Sequence, residues 1–264
     1  MAKPNHGSSV AAAAKAAQAE RDEDGPQGIG PQVSEVARNK AQPEPENDFT
    51  DGVITVVKDE GGTQTFDSFA EALVYSNDGD TLQVGKGTYT ETFALDERVT
   101  IVGEQGAILD GSKVANGSLA TIDLLDGSSG STISGLEIIA VEGQFGSALT
   151  SNVNNDVNNV KLTNNTFNAG VNTSGSLVYL NPGSDGFVID GNTFQGAALT
   201  GSPLLGIEGD DIIVTNNDFG DVAGTYPKVE VFEGANGTTD DVKLVGNTGI
   251  DNLSAGANGA EFYS

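Results

Sequence analysis

Hydrophobic and polar residues alternate along this chain in short segments that recur at a nearly constant spacing. Six segments align on one apolar residue with polar neighbours: Ile101, Ile133, Leu162, Ile189, Val214 and Leu244. The steps between them are roughly 25 to 32 residues, which is typical of solenoid proteins. Within each segment, apolar residues occupy every second position for about four residues, the periodicity of a β-strand. The pattern predicts one such strand in each coil of a solenoid.

A turn of constant composition follows each of these strands. Its first residue is Gly or Asn in all six copies, at positions 103, 135, 164, 191, 216 and 246. Because these residue types adopt positive φ at low cost, we expect a left-handed residue here in every coil. The next position holds a recurring asparagine: Asn165, Asn192, Asn217 and Asn247. Stacked asparagine amides can bond to one another as a ladder, so we interpret this column as framework and not as a binding site.

A column of large apolar residues follows two positions later. It contains Ile138, Phe167, Phe194 and Phe219, which we expect to stack inside the solenoid. Coils built this way predict an all-β fold, a right-handed parallel β-helix that rises about 4.8 Å per coil. The number of repeats indicates about six to seven coils.

The amino-terminal residues have a different composition. Residues 1–50 are rich in Ala, Gln, Glu and Pro and poor in large apolar residues, so they are expected to form a disordered tail and linker. The β-helix domain is expected to occupy residues 51–264. At its start, apolar residues at helical spacing within residues 66–76 predict a helix that caps the open end of the solenoid. Asp67 or Thr65 is the expected N-cap of this helix.

Residues 53–112 resemble the amino-terminal cap of a known superfamily. The resemblance rests on the capping helix, the run from Gly79 to Glu91 (GDTLQVGKGTYTE) and the VTIVG strand that ends at Gly103. These features are similar to those of the pectin methylesterase and pectate lyase-like superfamily of right-handed β-helices. The resemblance implies action on acidic polysaccharides. It also implies a carbohydrate groove along the face formed by segments such as SLVYL (Ser176–Leu180).

The catalytic motifs of that superfamily are incomplete here. In its esterases, an Asp lies in a GxxDFIFG-like strand, and Asp123 is nearest to that position but lacks the flanking aromatic residues. Its polygalacturonase-like hydrolases use NTD, GDD and GHG motifs. The segment 209–211 matches the second, whereas Phe194 replaces the Asp of the first. The third motif is missing, because the single histidine is His6 in the tail.

For a lyase of this fold, the resemblance implies a bound Ca²⁺ and an Arg or Lys that acts as the base. Arg98 is the single Arg after residue 50, and the lysines there are scattered.

The chain is also strongly acidic, with a net charge of −26. Such a charge repels polyuronates and argues against nucleic acids and anionic membranes as partners. No apolar run approaches the roughly 20 residues of a membrane span, so membrane insertion is not expected. The chain has no Cys, which excludes disulfides and thiolate metal sites.

Oxygen-bearing side chains recur just before the repeated strands. This column contains Ser129, Asn158, Asp185, Asp210 and Asp240, with Asp211 and Asp241 adjacent. Because Ca²⁺ prefers oxygen ligands, Asp185, Asp210, Asp211 and Asp240 are the predicted metal ligands, and Ca²⁺ is the only cofactor predicted. The alternative is that exposed turns favour Asp, Asn and Ser for backbone reasons.

These observations favour a non-catalytic secreted or cell-surface β-helix with a structural, adhesive or glycan-contacting role. Its expected partner is a polysaccharide or a cell-surface glycan, and the oligomeric state stays open. The alternative is a polysaccharide lyase, esterase or glycoside hydrolase that acts on an acidic polysaccharide. A repeated G-x-x-V-[SA]-x-x-A pattern starting at Gly7 and Gly30 resembles leaders of large secreted bacterial proteins. Because Lys15 interrupts the Ala-rich run, we expect export without a cleaved amino-terminal signal peptide.

Overall fold

The structure is a computed structural model that describes most of the chain from residue 49 onwards. The described residues are 49–114, 117–143, 145–151, 156–170, 174–196, 201–220, 227–232, 239 and 241–250, with the backbone of 253–255 and 261–263. Nearly all of the predicted tail, residues 1–50, lies outside them.

The described chain begins with a cap made of two strands and a short helix. Strand β1 (Ile54–Val57) pairs antiparallel with β2 (Thr63–Phe66), and helix α1 (Phe69–Tyr75) follows. The predicted capping helix is therefore confirmed, although it starts later than expected. Phe66 pairs with Ile54 in the sheet, which keeps the chain extended up to Ser68.

Ser68 is the N-cap of α1, so the expectation of Asp67 or Thr65 is wrong. The Ser68 hydroxyl accepts a hydrogen bond from the Glu71 N–H at 3.2 Å. The carboxylate of Glu91, in the first coil, accepts from the N–H groups of Phe69 and Ala70 at 2.7 and 3.1 Å. These contacts satisfy N–H groups that a helix start leaves without intrahelical partners. They also attach the cap to the solenoid.

The helix packs on the first coil through Phe69 and Ala72, both fully buried. The ring of Phe69 lies 4.8 Å from that of Phe93 and 5.7 Å from that of Tyr89, centroid to centroid. Val74, an apolar residue of the same helix, is 88% exposed. Because α1 is short, its contribution to the core is limited to Phe69 and Ala72, with Leu73 partly buried against it.

After the cap, each coil contributes strands to three sheets in turn. The first coil comprises β3 (Thr81–Val84), β4 (Gly87–Tyr89) and β5 (Phe93–Leu95), and the second comprises β6 (Thr100–Gly103), β7 (Ala107–Asp110) and β8 (Ala120–Leu124). A 3₁₀ turn (Asp126–Ser128) precedes the third coil, which comprises β9 (Thr132–Ser134), β10 (Glu137–Ile139) and β11 (Ser147–Ser151). The fourth coil comprises β12 (Lys161–Thr163), β13 (Thr166–Asn168) and β14 (Val178–Leu180), and the fifth comprises β15 (Val188–Asp190), β16 (Thr193–Gln195) and β17 (Leu205–Ile207).

The remaining described strands are β18 (Ile213–Thr215), β19 (Val229–Val231), β20 (Lys243–Val245), β21 (Leu253–Ala255) and β22 (Glu261–Tyr263). In these later coils the second strand is reduced to single bridges at Asp218 and Thr248. Among the described residues, five coils thus carry all three strands, and the fold is the predicted all-β parallel solenoid.

The three strands of each coil define three parallel sheets. Sheet A has the order β3-β6-β9-β12-β15-β18-β20-β22, with β1 and β2 added antiparallel at its β3 edge. Sheet B has the order β4-β7-β10-β13-β16. Sheet C has the order β5-β8-β11-β14-β17-β19-β21. The six aligned apolar residues that begin at Ile101 pair in register along sheet A, which confirms the repeat derived from the sequence.

The predicted phenylalanine stack lies at the centre of the solenoid. Phe167, Phe194 and Phe219 are fully buried. Adjacent ring centroids are 5.2 Å apart for Phe167 and Phe194 and 4.5 Å apart for Phe194 and Phe219. Both distances suit stacked or tilted aromatic pairs.

The asparagine column joins successive turns by hydrogen bonds. The amide of Asn165 donates to that of Asn192 at 3.2 Å, Asn192 donates to Asn217 at 3.0 Å, and Asn217 donates to Asn247 at 2.9 Å. The same amides of Asn165, Asn192 and Asn217 also donate to main-chain carbonyls of the preceding coil at 2.8 Å. Buried main-chain carbonyls next to each turn therefore accept hydrogen bonds from the asparagine of the next coil.

Positive φ precedes this column in all copies but one. Gly135, Asn164, Gly191, Asn216 and Gly246 have φ values between 53° and 72°. At Gly103 the expectation of a left-handed residue is wrong, because its φ is not positive. A Cβ on residue 103 would lie 2.5 Å from the Leu136 side chain, so close packing of the next coil requires glycine there.

Candidate functional site

An open groove of about 780 Å³ runs along the outer face of sheet C. A row of in-register residues from successive strands crosses its floor: Asp123, Thr150, Tyr179, Gly206 and Glu230. The row covers four strand spacings, or roughly 19 Å from Asp123 to Glu230. Because the sheet is regular, the positions of these side chains are set by the core and not by loops.

Strand alternation explains why this row faces outwards. The residues immediately before it are fully buried and point into the solenoid: Ile122, Leu149, Val178, Leu205 and Val229. Since successive side chains of a strand point to opposite faces, the row must lie on the outer face. The apolar positions that build the core thereby also position the groove.

Tyr179 lies across the middle of the groove. A Cβ on residue 206 would lie 2.5 Å from Cδ2 of Tyr179 and 3.2 Å from Cε2 of Phe232, so glycine makes room for both rings. The ring centroids of Tyr179 and Phe232 are 5.9 Å apart. The Tyr179 hydroxyl donates a hydrogen bond to the carboxylate of Glu208.

These surroundings keep the phenol of Tyr179 protonated. Burial raises its pKa most, followed by the hydrogen bond to Glu208 and the negative charges of Glu208 and Glu230. The ring is thus an amphipathic surface whose hydroxyl is already oriented. Its position is fixed at both ends, by Gly206 beneath the ring and by Glu208 at the hydroxyl.

Hydrogen bonds among hydroxyl and amide groups order the neighbouring part of the groove. The Ser151 hydroxyl accepts from the Asn181 N–H at 2.8 Å and lies 2.6 Å from the Ser184 hydroxyl. The Thr150 hydroxyl donates to the carbonyl of Tyr179 at 3.3 Å. These bonds cross from strand to strand, so the polar groups there are ordered before any ligand arrives.

Two apolar side chains are exposed on the rim of the groove. Leu119 is 64% exposed and Phe145 is 63% exposed. Phe145 has a φ of 71°, which is uncommon for a bulky residue. Its backbone rests against Gly175, where a Cβ would come within 2.6 Å of the Phe145 carbonyl carbon. The local fold therefore holds an aromatic ring in solvent beside the floor.

The described residues that line the groove include carboxylates but neither Lys nor Arg. Asp123 lies at one end of the floor and Glu230 at the other, and both line the groove. Burial raises the pKa of Glu230. Lys228 is close in sequence, but it is 8% exposed and its ammonium donates to the Gly220 carbonyl at 2.6 Å. The groove is therefore acidic as well as aromatic.

The predicted calcium ligands lie elsewhere, at the corner between sheets C and A. Asp185 precedes β15, and Asp210 and Asp211 precede β18. The Asp185 carboxylate accepts from the Asp210 N–H at 2.9 Å, and the Asn158 side-chain oxygen accepts from the Asp185 N–H at 3.1 Å. The side chains of this column thus hold one coil to the next.

The left-handed backbone conformation at residue 211 explains why an Asp is found there. Its φ is 57°, and the equivalent positions in other coils are also left-handed: Gly130, Asn159, Gly186 and Asp241. Asp240 lies outside the described residues. In the part of the chain that the structure describes, no three Asp, Glu, His or Cys side chains converge as metal ligands. The calcium site stays a prediction.

Of the residues weighed for catalysis, Asp123 lies in the groove, whereas Asp210 and Asp211 do not line it. Tyr179, Glu230 and Phe232 are groove residues that the motif search missed. Strand alternation within SLVYL and KVEVF points to Tyr179 and Glu230 as outward-facing, so the signal was present in the sequence.

Comparison with known proteins adds little to this geometry. No family model matches the chain, and no curated protein matches it. Among solved structures, the catalytic domain of a GH87 alpha-1,3-glucanase in complex with nigerose is similar to 68% of this chain, with 17% sequence identity and a TM-score of 0.29. A variant of that domain gives 17% identity and a TM-score of 0.28. This chain covers 43% of each of those chains, and likeness at this level carries no argument about activity.

Proposed function

We propose that this protein is a non-catalytic β-solenoid that binds a glycan chain in the groove of sheet C. The observation that carries the proposal is that three aromatic side chains, Tyr179, Phe232 and Phe145, line one open groove together with ordered polar groups. Sugar rings have apolar faces that pack on aromatic side chains, and hydroxyls that bond to Ser, Asn and carboxylate groups. Both kinds of partner are present here.

The shape of the groove favours a polymer over a small ligand. Its floor extends for roughly 19 Å along the solenoid axis and is open to solvent along its length. Small-molecule sites, in contrast, enclose most of the ligand surface. A chain of several sugar rings suits the extended row better.

The spacing of the two end carboxylates opposes glycosidase chemistry. Asp123 and Glu230 are roughly 19 Å apart. The acid and base of most glycosidases are about 5 to 9.5 Å apart, so these two cannot act on one glycosidic bond.

One observation favours the enzyme alternative. Gly206 pairs with Glu230, so Glu208 and Glu230 are diagonal neighbours on adjacent strands. Such neighbours are roughly 7–8 Å apart, within the separation of about 6.5–9.5 Å found in inverting hydrolases. However, Glu208 already accepts the Tyr179 hydroxyl bond.

A glycan array, probed with and without Ca²⁺, tests the main proposal. We expect binding to a defined glycan class, a loss of at least about tenfold with Tyr179→Ala, and no loss with Tyr75→Ala. Tyr75 is a matched aromatic residue on α1, outside the groove. Failure to bind any glycan, or equal losses in both variants, would overturn the proposal.

A product assay tests the alternative. The purified protein is expected to release no reducing ends, unsaturated products or methanol from any glycan that it binds or from pectin, polygalacturonate and alginate, with Ca²⁺ present. Turnover that Glu230→Gln or Glu208→Gln abolishes would establish the enzyme and remove the non-catalytic assignment.

The proposed location is outside the cell or on its surface. Support comes from the acidic, Cys-free composition and the leader-like repeat. Across the described residues, no helix has the length and apolar character needed to cross a membrane. Fractionation of cells that express the intact chain tests this proposal, and retention in the cytosol of the native host would contradict it.

A further inference from the structure

The acidic groove carries an inference about the charge of its ligand, which rests on the proposed glycan-binding function. We propose that the glycan is an amino-sugar polymer with free, protonated amines. Asp123 and Glu230 mark the two ends of the floor, and Tyr179 lies between them. An extended chain with amines along its length would place a positive charge near each carboxylate.

The first argument is charge complementarity. Neither Lys nor Arg is found among the described residues that line the groove, and the described basic residue nearest in sequence, Lys228, bonds to a backbone carbonyl. An anionic glycan would meet Asp123 and Glu230 with no compensating cation on the floor. Because like charges repel in a partly desolvated site, a polyuronate is disfavoured.

The second argument comes from the cost of Glu230. Burial disfavours the charged form of Glu230 and raises its pKa, so the charged carboxylate lowers the stability of the folded protein at neutral pH. An apolar side chain at position 230 would avoid that cost. A positively charged ligand recovers part of it by supplying the missing partner.

The third argument comes from the aromatic faces. The ring of Tyr179 packs beside that of Phe232, with their centroids 5.9 Å apart, and Phe145 is exposed on the rim. Aromatic faces attract ammonium groups through the ring quadrupole. The same rings also pack against the apolar faces of sugars, so an amino sugar uses both properties at one place.

The sheet itself disfavours a basic peptide as the ligand. Strands β8, β11, β14 and β17 are paired on both sides, so their backbone groups are already used within sheet C. A peptide laid on this face would find no strand edge for main-chain hydrogen bonds. A saccharide has no peptide backbone to satisfy.

The test compares two oligosaccharides of equal length that differ in N-acetylation and therefore in charge. One is a glucosamine tetramer with free amines, and the other is its fully N-acetylated counterpart, both titrated calorimetrically at mildly acidic pH and moderate salt. We expect the free-amine tetramer to bind at least about tenfold more tightly. Tyr179→Ala should weaken both ligands, because the ring contacts the sugar irrespective of charge.

Charge-neutralising variants locate the effect. Asp123→Asn and Glu230→Gln should each reduce affinity for the free-amine tetramer by about three- to tenfold and leave the acetylated tetramer unchanged. Asp67→Asn and Glu60→Gln, at exposed positions of the cap, remove the same charge outside the groove and should change neither affinity. Circular dichroism and thermal midpoints establish that each variant is folded.

Other results would overturn one or both proposals, and binding of another arrayed glycan but of neither tetramer would overturn the charge proposal alone. If the acetylated tetramer binds equally or more tightly, the charge proposal is wrong and the glycan-binding function stands. If neither tetramer nor any arrayed glycan binds, both proposals fail. Equal losses in groove and cap variants would mean only non-specific attraction to an acidic protein. Tetralysine that binds as tightly, with the same dependence on Asp123 and Glu230, would replace the glycan by a basic peptide.

Discussion

The ring of Tyr179 lies so close to Gly206, its in-register partner on the next strand, that a methyl group on residue 206 would come within 2.5 Å of ring carbon Cδ2. The absence of one side chain thus determines where the aromatic surface of the groove sits. The two residues belong to different coils, and their contact exists only because the coils stack in register.

Gly206→Ala should displace the Tyr179 ring and lower stability by about 1–3 kcal/mol, as overpacking substitutions do. The cost should fall when Tyr179 is already alanine, because the added methyl group then meets only the Phe232 ring, whose Cε2 is 3.2 Å from it. A double-mutant cycle by chemical denaturation measures this coupling. Strict additivity of the two substitutions would contradict the close contact.

Glu230→Gln should raise the thermal midpoint at neutral pH. Burial raises the pKa of Glu230, so the folded protein binds this proton more tightly than the unfolded chain. The resulting stabilisation is complete below the ordinary carboxyl pKa of about 4.3 and is lost as the pH rises through the raised pKa. Glutamine avoids the loss, so its advantage should shrink as the pH is lowered below that range.

Glu60→Gln is the matched control for this pH dependence. It removes the same charge from an exposed turn between β1 and β2. Thermal melts of both variants across pH separate the local burial effect from the reduction of net charge. The same gain in both variants would show that only net charge matters.

Phe194→Ala should cost about 3–5 kcal/mol, because it leaves a cavity between two stacked rings in the core. Val74→Ala, on the exposed face of α1, should change stability little. Urea denaturation of the two variants provides the comparison. A small effect for Phe194→Ala would contradict its position inside the solenoid.

Two adjacent asparagines should respond very differently to substitution. Asn165→Ala removes the acceptor of the buried Leu136 N–H, whose bond is 3.2 Å long, and an unsatisfied buried donor costs about 1–3 kcal/mol. Asn164 has a φ of 53°, and the next coil has Gly191 at this position. Asn164→Gly should therefore be nearly neutral, and equal effects in denaturation would contradict these roles.

The calcium prediction is tested with Asp185→Asn. Asparagine keeps a side-chain oxygen for the Asp210 N–H, so the stability of the calcium-free protein should change little. If the column of Asp185, Asp210, Asp211 and Asp240 binds Ca²⁺, the ion raises the thermal midpoint of the unaltered protein, and Asp185→Asn removes that rise. Identical midpoints in Ca²⁺ and in chelator would contradict the prediction.

The sequence predicts the solenoid well because successive coils repeat the same pattern of apolar strand positions followed by a Gly or Asn turn. The alignment of Leu162, Ile189 and Val214, derived from spacing alone, corresponds to their pairing in sheet A. The start of α1 was not predictable in this way. It depends on the pairing of Phe66 with Ile54, a contact between residues that local propensity does not connect.

The candidate site was harder to predict than the fold. Motif comparison identifies Asp123 as a candidate site residue but does not identify Tyr179, Phe232 or Glu230. Their chemistry arises from contacts between coils, such as Tyr179 over Gly206 and the Tyr179 hydroxyl on Glu208. A linear motif does not contain those contacts, whereas the register between strands creates them.

The asparagine turn has a consequence for how such a protein can change over evolution. The chain passes from sheet A to sheet B over the same number of residues in successive coils, as from Leu162 to Phe167, Ile189 to Phe194 and Val214 to Phe219. Among these coils, differences in length must then fall in the connections on either side of sheet C, beside the groove, whereas in the second coil the passage from sheet A to sheet B is itself longer, from Ile101 to Leu109. Insertions and deletions there would alter the walls of the groove while the interior register persists, so new ligand preferences can be acquired without redesigning the scaffold.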